Sequence, residues 1–190
     1  MKISNFIKNI VKFYVFLGFF GFASATDFKL PNYEFDKSKE PIYLVDKLPL
    51  KGDMTISFDF SLGKDFNSKN SPDYQGLFET ADGNTGVRIE INKKLETWDL
   101  IIGDSSGKFN PYNLGKLPKV GVWTKVKIQI QILSQRAGLK DKVFVYVNDK
   151  IIIDNDLMFG DFLVNKFVVG YGISPERKFH GAVKEFNISR

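Results

Sequence analysis

From Met54 to Leu62 every even position is apolar and every odd one polar: Met54, Ile56, Phe58, Phe60 and Leu62 against Thr55, Ser57, Asp59 and Ser61. A β-strand sends successive side chains to opposite faces, so this spacing gives one face to a core and one to water, whereas a helix would scatter the same residues around its cylinder. The pattern returns in Val87, Ile89 and Ile91 against Arg88, Glu90 and Asn92. It returns again in Val126, Ile128, Ile130 and Ile132 against Lys125, Lys127, Gln129 and Gln131. These read as half-buried strands of antiparallel sheets. Residues 100–102, 143–147, 151–153 and 167–169 are apolar on both faces and read as central strands, or as strands whose outer face meets another surface.

Turn chemistry separates these runs. Residues 82–84 (Asp-Gly-Asn), 104–107 (Asp-Ser-Ser-Gly), Asn110-Pro111 and Asn148-Asp149 favour tight turns or positive φ, and Asn148-Asp149 sits between two apolar runs as a hairpin tip does. Residues 63–73, the longest polar stretch, read as an exposed and mobile loop, and Pro31, Pro41 and Pro49 point to edge or irregular structure near the N-terminus. About ten strands joined by short turns, with no amphipathic helical period, predict an all-β fold, an antiparallel β-sandwich or barrel. Aromatics suit such a core because large flat rings fill the space between sheets.

The N-terminus has a different character. Lys2, Lys8 and Lys12 precede an uncharged run over 13–22, followed by Ala23-Ser24-Ala25. This basic, apolar, small-x-small order predicts a signal peptide over 1–25, cleaved after Ala25, because Lys12 stops the run short of the ~20 apolar residues of a membrane span. The expected product is one domain over 26–190, secreted or periplasmic, with no membrane span once the leader is gone. The leader holds three of the 27 Lys and Arg and none of the 22 Asp and Glu, so the formal charge falls from +5 to +2 on its removal. With both signs interspersed and no basic block, no nucleic-acid partner is expected. Cysteine is absent, which excludes disulfides, thiolate ligands and a thiol nucleophile.

Residues 167–188 (FVVGYGISPERKFHGAVKEFNI) resemble the closing strands of laminin-G-like and concanavalin A-like lectin domains: a glycine-bearing turn, then an aromatic, a glycine, and an apolar pattern in Val183, Phe186 and Ile188. Trp123 leading Val126 and Ile128, and residues 143–151 as the next hairpin, are similar to the tryptophan-led strand and hairpin of that family. Phe58, Phe60, Gly76, Phe78, Gly86 and Ile89 match its opening strands. The resemblance covers roughly 54–188 and implies a jelly roll of two packed antiparallel sheets, with carbohydrate or an extracellular protein as partner. It also implies that a calcium ion is possible at the rim, for which Asp82, Asn84 and Asp104 stand in suitable turns; good turn formation explains the same residues. No other cofactor is expected.

Catalytic chemistry finds little support in the sequence. Glycosidases of this architecture carry a Glu-x-Asp-x-x-Glu strand, which is absent, and Glu90 reads as an outward strand residue. His180, the single histidine, has no nucleophile elbow to serve and reads as a surface strand residue. A sugar site needs an aromatic platform flanked by polar groups. Trp98, beside Asp99, is the first candidate, followed by Tyr112 with Asn110, and by Tyr74; core packing explains Trp98 and Trp123 equally well. The resulting expectation is an exported, non-catalytic binding domain. Two alternatives are a glycan hydrolase with an unrecognised carboxylate pair, and a structural component of the cell envelope with an exposed sheet edge or apolar patch.

Overall fold

A computed structural model describes residues 28–29, 32–35, 42–44, 48–50, 53–80, 86–103, 107–133, 139–157, 162–164, 167–171 and 175–189. The expected leader over 1–25 and the calcium candidates Asp82, Asn84 and Asp104 lie outside the described residues.

The chain is an all-β sandwich of two antiparallel sheets. The first runs β1 (Phe28–Lys29), β15 (Gly181–Ser189), β5 (Met54–Leu62), β10 (Thr124–Gln131), β11 (Asp141–Val147) and β12 (Lys150–Leu157), with β2 (Tyr33–Phe35) also pairing with β15. The second runs β3 (Ile42–Leu44), β14 (Phe167–Val169), β6 (Tyr74–Thr80), β7 (Gly86–Asn92), β8 (Thr97–Gly103) and β9 (Phe109–Lys116). A short ladder pairs β4 (Leu48–Leu50) with β13 (Phe162–Val164).

The alternating residues do what their period dictates. Met54, Ile56, Phe58, Phe60 and Leu62 are all buried, as are Val126, Ile128 and Ile130 across the β5–β10 ladder and Val87, Ile89 and Ile91 on β7. Aromatic rings bridge the two layers: Phe58 lies 5.6 Å from Phe78 of the opposite sheet, edge to face, and Phe78 stacks on Phe167 at 5.5 Å. Each fully buried Phe contributes roughly 1.5–3 kcal/mol by removal from water, and each ring pair about 0.5–1.5 kcal/mol more. Without disulfides, this packing is the main stabilising term.

The last strand closes the core beside the first long one, with Val183 opposite Phe60. Gly181 is required there, because a Cβ would run into the Ser61 carbonyl oxygen and the Phe179 ring. The apolar residues Val183 and Phe186 are three apart, so a residue must be accommodated between them. The register shifts between Lys184 and Asn187, and Glu185 takes φ 53°, a bulge that returns Phe186 to the core. At the β11–β12 hairpin Asn148 and Asp149 take φ 51° and 63°, the left-handed pair of the predicted turn.

Three local expectations are corrected. Asn110-Pro111 is not a turn but part of β9, the last strand of its sheet, where proline is tolerated because a terminal strand leaves backbone donors unpaired. Residues 63–73 are not a free loop: Phe66 is buried, Gln75 Nε2 donates to Ser71 Oγ at 2.7 Å, and Lys93 Nζ donates to the carbonyls of Ser68 and Ser71 at 3.3 and 2.6 Å. His180 is buried rather than on the surface, its Nδ1 3.0 Å from Asp65 Oδ2 and its backbone N–H donating to Gln75 Oε1 at 2.8 Å.

Candidate functional site

Strand parity sorts the two tryptophans to opposite sides of the protein. Trp98 is in phase with Leu100 and Ile102, the inward residues of β8, and its ring is 1% exposed, 5.2 Å from Phe60. It is a core residue, so the expectation of Trp98 as an exposed platform is overturned by burial of its ring. Trp123 precedes Thr124, whose side chain is buried, and therefore falls in phase with Lys125 and Lys127 on the outer face of the first sheet. It is 44% exposed.

The remaining predicted residues do not converge either. Tyr112 and Asn110 pair with Leu100 and Ile102 on the inner phase of β9, and Tyr112 is half-buried against the core. Burial holds its phenol above the usual tyrosine value. Tyr74 is exposed at the start of β6 and pairs with Asn92 on the outer phase of the second sheet. These positions share no surface.

Trp123 instead lines a depression of about 370 Å³ with Asn32, Tyr33, Glu34, Ala182, Val183 and Lys184. The sheet register builds it. Ala182 pairs with Glu34 on one side and Ser61 on the other, so small side chains occupy the row between the β2 edge and β5. Lys184 lies two residues further along the same face, its Nζ 4.5 Å from the Trp123 ring centroid and 3.5 Å from Asp59 Oδ2. Beside it, Lys125 Nζ pairs with Asp149 Oδ1 at 3.0 Å, a hydrogen bond that raises the lysine's pKa. The depression thus offers an indole, a carboxylate, an amide and an ammonium group around a low floor. That donor and acceptor set suits a hydroxyl-rich ligand with an apolar face. Sequence reasoning missed this site although its signal, the parity of Trp123 with Lys125 rather than with Val126, was present.

The carboxylates of the opposite sheet are arranged differently. Arg88 Nη1 lies 3.1 Å from Glu79 Oε1, and Arg177 Nη1 lies 2.8 Å from Glu90 Oε2. Both acids are engaged by arginines, and Glu79 is also buried at 3% exposure.

No protein-family model matches the sequence, and no curated protein matches it. Solved structures share its fold. The botulinum neurotoxin serotype D binding domain is 16% identical with a TM-score of 0.61, over 87% of this chain and 42% of that one. The binding domain of botulinum neurotoxin DC in complex with SialylT is 14% identical with a TM-score of 0.57, over 86% of this chain and 38% of that one. A heptameric SAP-like pentraxin from Limulus polyphemus is 13% identical with a TM-score of 0.55, over 87% of this chain and 76% of that one. The chain therefore spans about two fifths of the neurotoxin domains it matches. What is common to all of them is a β-sandwich.

Proposed function

We propose that this chain is an exported, non-catalytic carbohydrate-binding domain of the concanavalin A-like, laminin-G-like kind, with its sugar site in the depression beside Trp123. The observation that carries the reading is an exposed indole set among Asn32, Glu34 and Lys184 over a low floor. Sugar rings present C–H faces that pack on aromatic rings and hydroxyls that need donors and acceptors at the periphery, and this site supplies both. The similar structures support a binding role, since two are toxin binding domains and one was solved with SialylT bound. The basic, apolar and small-residue order of residues 1–25 supports export. The ion-paired state of Glu79 and Glu90 weighs against a hydrolase on the second sheet.

A glycan array probed with the wild type and Trp123→Ala tests the reading. Binding to a restricted set of glycans by the wild type, lost in the variant, is the expected result. A wild type that binds no glycan, or a variant that binds as well as the wild type, would sink it.

A further inference from the structure

The strand directions bring residues 63–73, 93–96, 117–123, 148–149, 170–171 and 175–180 to one end of the sandwich. Most of these loops are tied together by backbone hydrogen bonds. Gly63 N–H donates to the His180 carbonyl at 2.9 Å, Lys93 N–H to Asp73 at 2.8 Å, Leu117 N–H to Glu96 at 2.9 Å and Gly121 N–H to Leu62 at 2.9 Å. Val122 N–H closes a turn onto the Lys119 carbonyl at 3.0 Å, with Gly121 at φ 78°. Rigid loops of this kind normally present polar tips. Here the tips are apolar: Leu95 is 69% exposed, Val122 50% and Val120 38%. Single exposed apolar residues need no explanation, but three on two hydrogen-bonded turns at one end are a different matter. They are surrounded by a charge of one dominant sign. Among the described residues the exposed cations of this end are Lys64, Lys69, Lys94, Lys116, Lys119, Lys125 and Lys150, while the exposed carboxylates are Glu96, Asp149 and Glu176, joined by the partly open side chains of Asp65 and Asp73. Two of the lysines are neutralised locally, Lys94 by Asp73 at 2.7 Å and Lys125 by Asp149 at 3.0 Å.

We infer that this end docks on an anionic lipid surface, with Leu95, Val120 and Val122 entering the headgroup boundary and the lysines meeting lipid phosphates. Apolar tips and surrounding lysines act together: the tips supply burial in the acyl boundary, and the cations supply attraction that falls off within a Debye length. A protein partner would call for a contiguous apolar patch, whereas Leu95 stands on a different turn from Val120 and Val122. The inference does not rest on the sugar reading, because it uses neither Trp123 nor the depression.

Vesicle flotation of the protein without residues 1–25, the expected leader, tests it, with lipids free of any glycan. Phosphatidylcholine vesicles are compared with vesicles holding roughly 30% phosphatidylglycerol, a density that gives a strongly negative surface. The protein is expected to float with the anionic vesicles and not with the neutral ones, and to be released by high salt. The double variant Leu95→Ser, Val122→Ser should lose about tenfold or more in bound fraction, the scale of removing two apolar insertions. It should keep its urea midpoint, since both side chains are exposed. Leu139→Ser, 50% exposed at the opposite end, should float as the wild type does. Failure to float with either vesicle, equal flotation with both, wild-type flotation by the double variant, or self-association that the double variant abolishes would each overturn the inference.

Discussion

Lys184 Nζ lies 4.5 Å from the centroid of the Trp123 ring while holding Asp59 Oδ2 at 3.5 Å, so a single side chain joins the indole to the β5 face. The contact fixes the edge of the proposed sugar site without contributing much to the fold. A partly exposed cation–π contact is worth about 0.5–1 kcal/mol, and a surface ion pair about 0–1 kcal/mol. Lys184→Ala should therefore leave the urea midpoint nearly unchanged and still weaken glycan binding. Titration by calorimetry against a glycan identified on the array checks both halves; unchanged affinity would remove Lys184 from the site.

Truncating the two tryptophans should have opposite consequences. Trp98 fills the core against Phe60, and Trp98→Ala should cost about 3–5 kcal/mol, the usual loss for a large aromatic in a packed interior. Trp123→Ala should cost about 1 kcal/mol or less, since the ring is already half in water. Urea denaturation of the pair gives the comparison directly, and similar losses would contradict the parity assignment.

Glu185 occupies the bulge of β15 at φ 53°, a conformation that costs an ordinary residue about 1 kcal/mol or more. A β-branched side chain is worse there, so Glu185→Val should destabilise by about 1–2 kcal/mol, whereas Glu185→Gly should be neutral or stabilising. Thermal melting of the two variants checks the order. Glu185 is exposed, so lost packing cannot account for the difference.

These positions also show how far the sequence reads. The sandwich was legible because the alternation in β5, β7 and β10 is almost unbroken, and the hairpin at Asn148-Asp149 because left-handed backbone selects those residues. The bulge at Glu185 was visible only as the three-residue step from Val183 to Phe186. The site was harder. Trp98 and Trp123 are the same residue type at the start of two strands, and composition does not separate them; the phase of each strand does. Asn32, Glu34, Ala182 and Lys184 come together only through the β2–β15 register, which spans about 150 residues of chain and leaves no local mark. The packing of residues 63–73 depends likewise on Lys93 reaching back to Ser68 and Ser71.

Tyr112 gives the stability a dependence on alkaline pH. Burial against the core raises its phenol above the ordinary tyrosine value, so the folded protein holds the proton more tightly than the unfolded chain does. The stability tied to that proton is fully present below about pH 10 and is lost as pH rises through the higher folded value, where the unfolded chain has already ionised. Lys94 and Lys125 are also raised, by Asp73 and Asp149, and their linkage runs in the same direction. A variant isolates the tyrosine from them. Tyr112→Phe keeps the ring against the core and removes the titrating group, so the fall in urea midpoint between neutral and strongly alkaline pH should be smaller in the variant than in the wild type. Equal falls would assign the whole alkaline effect to the lysine pairs, and would mean that the Tyr112 hydroxyl is more hydrated than its place beside Leu100 implies.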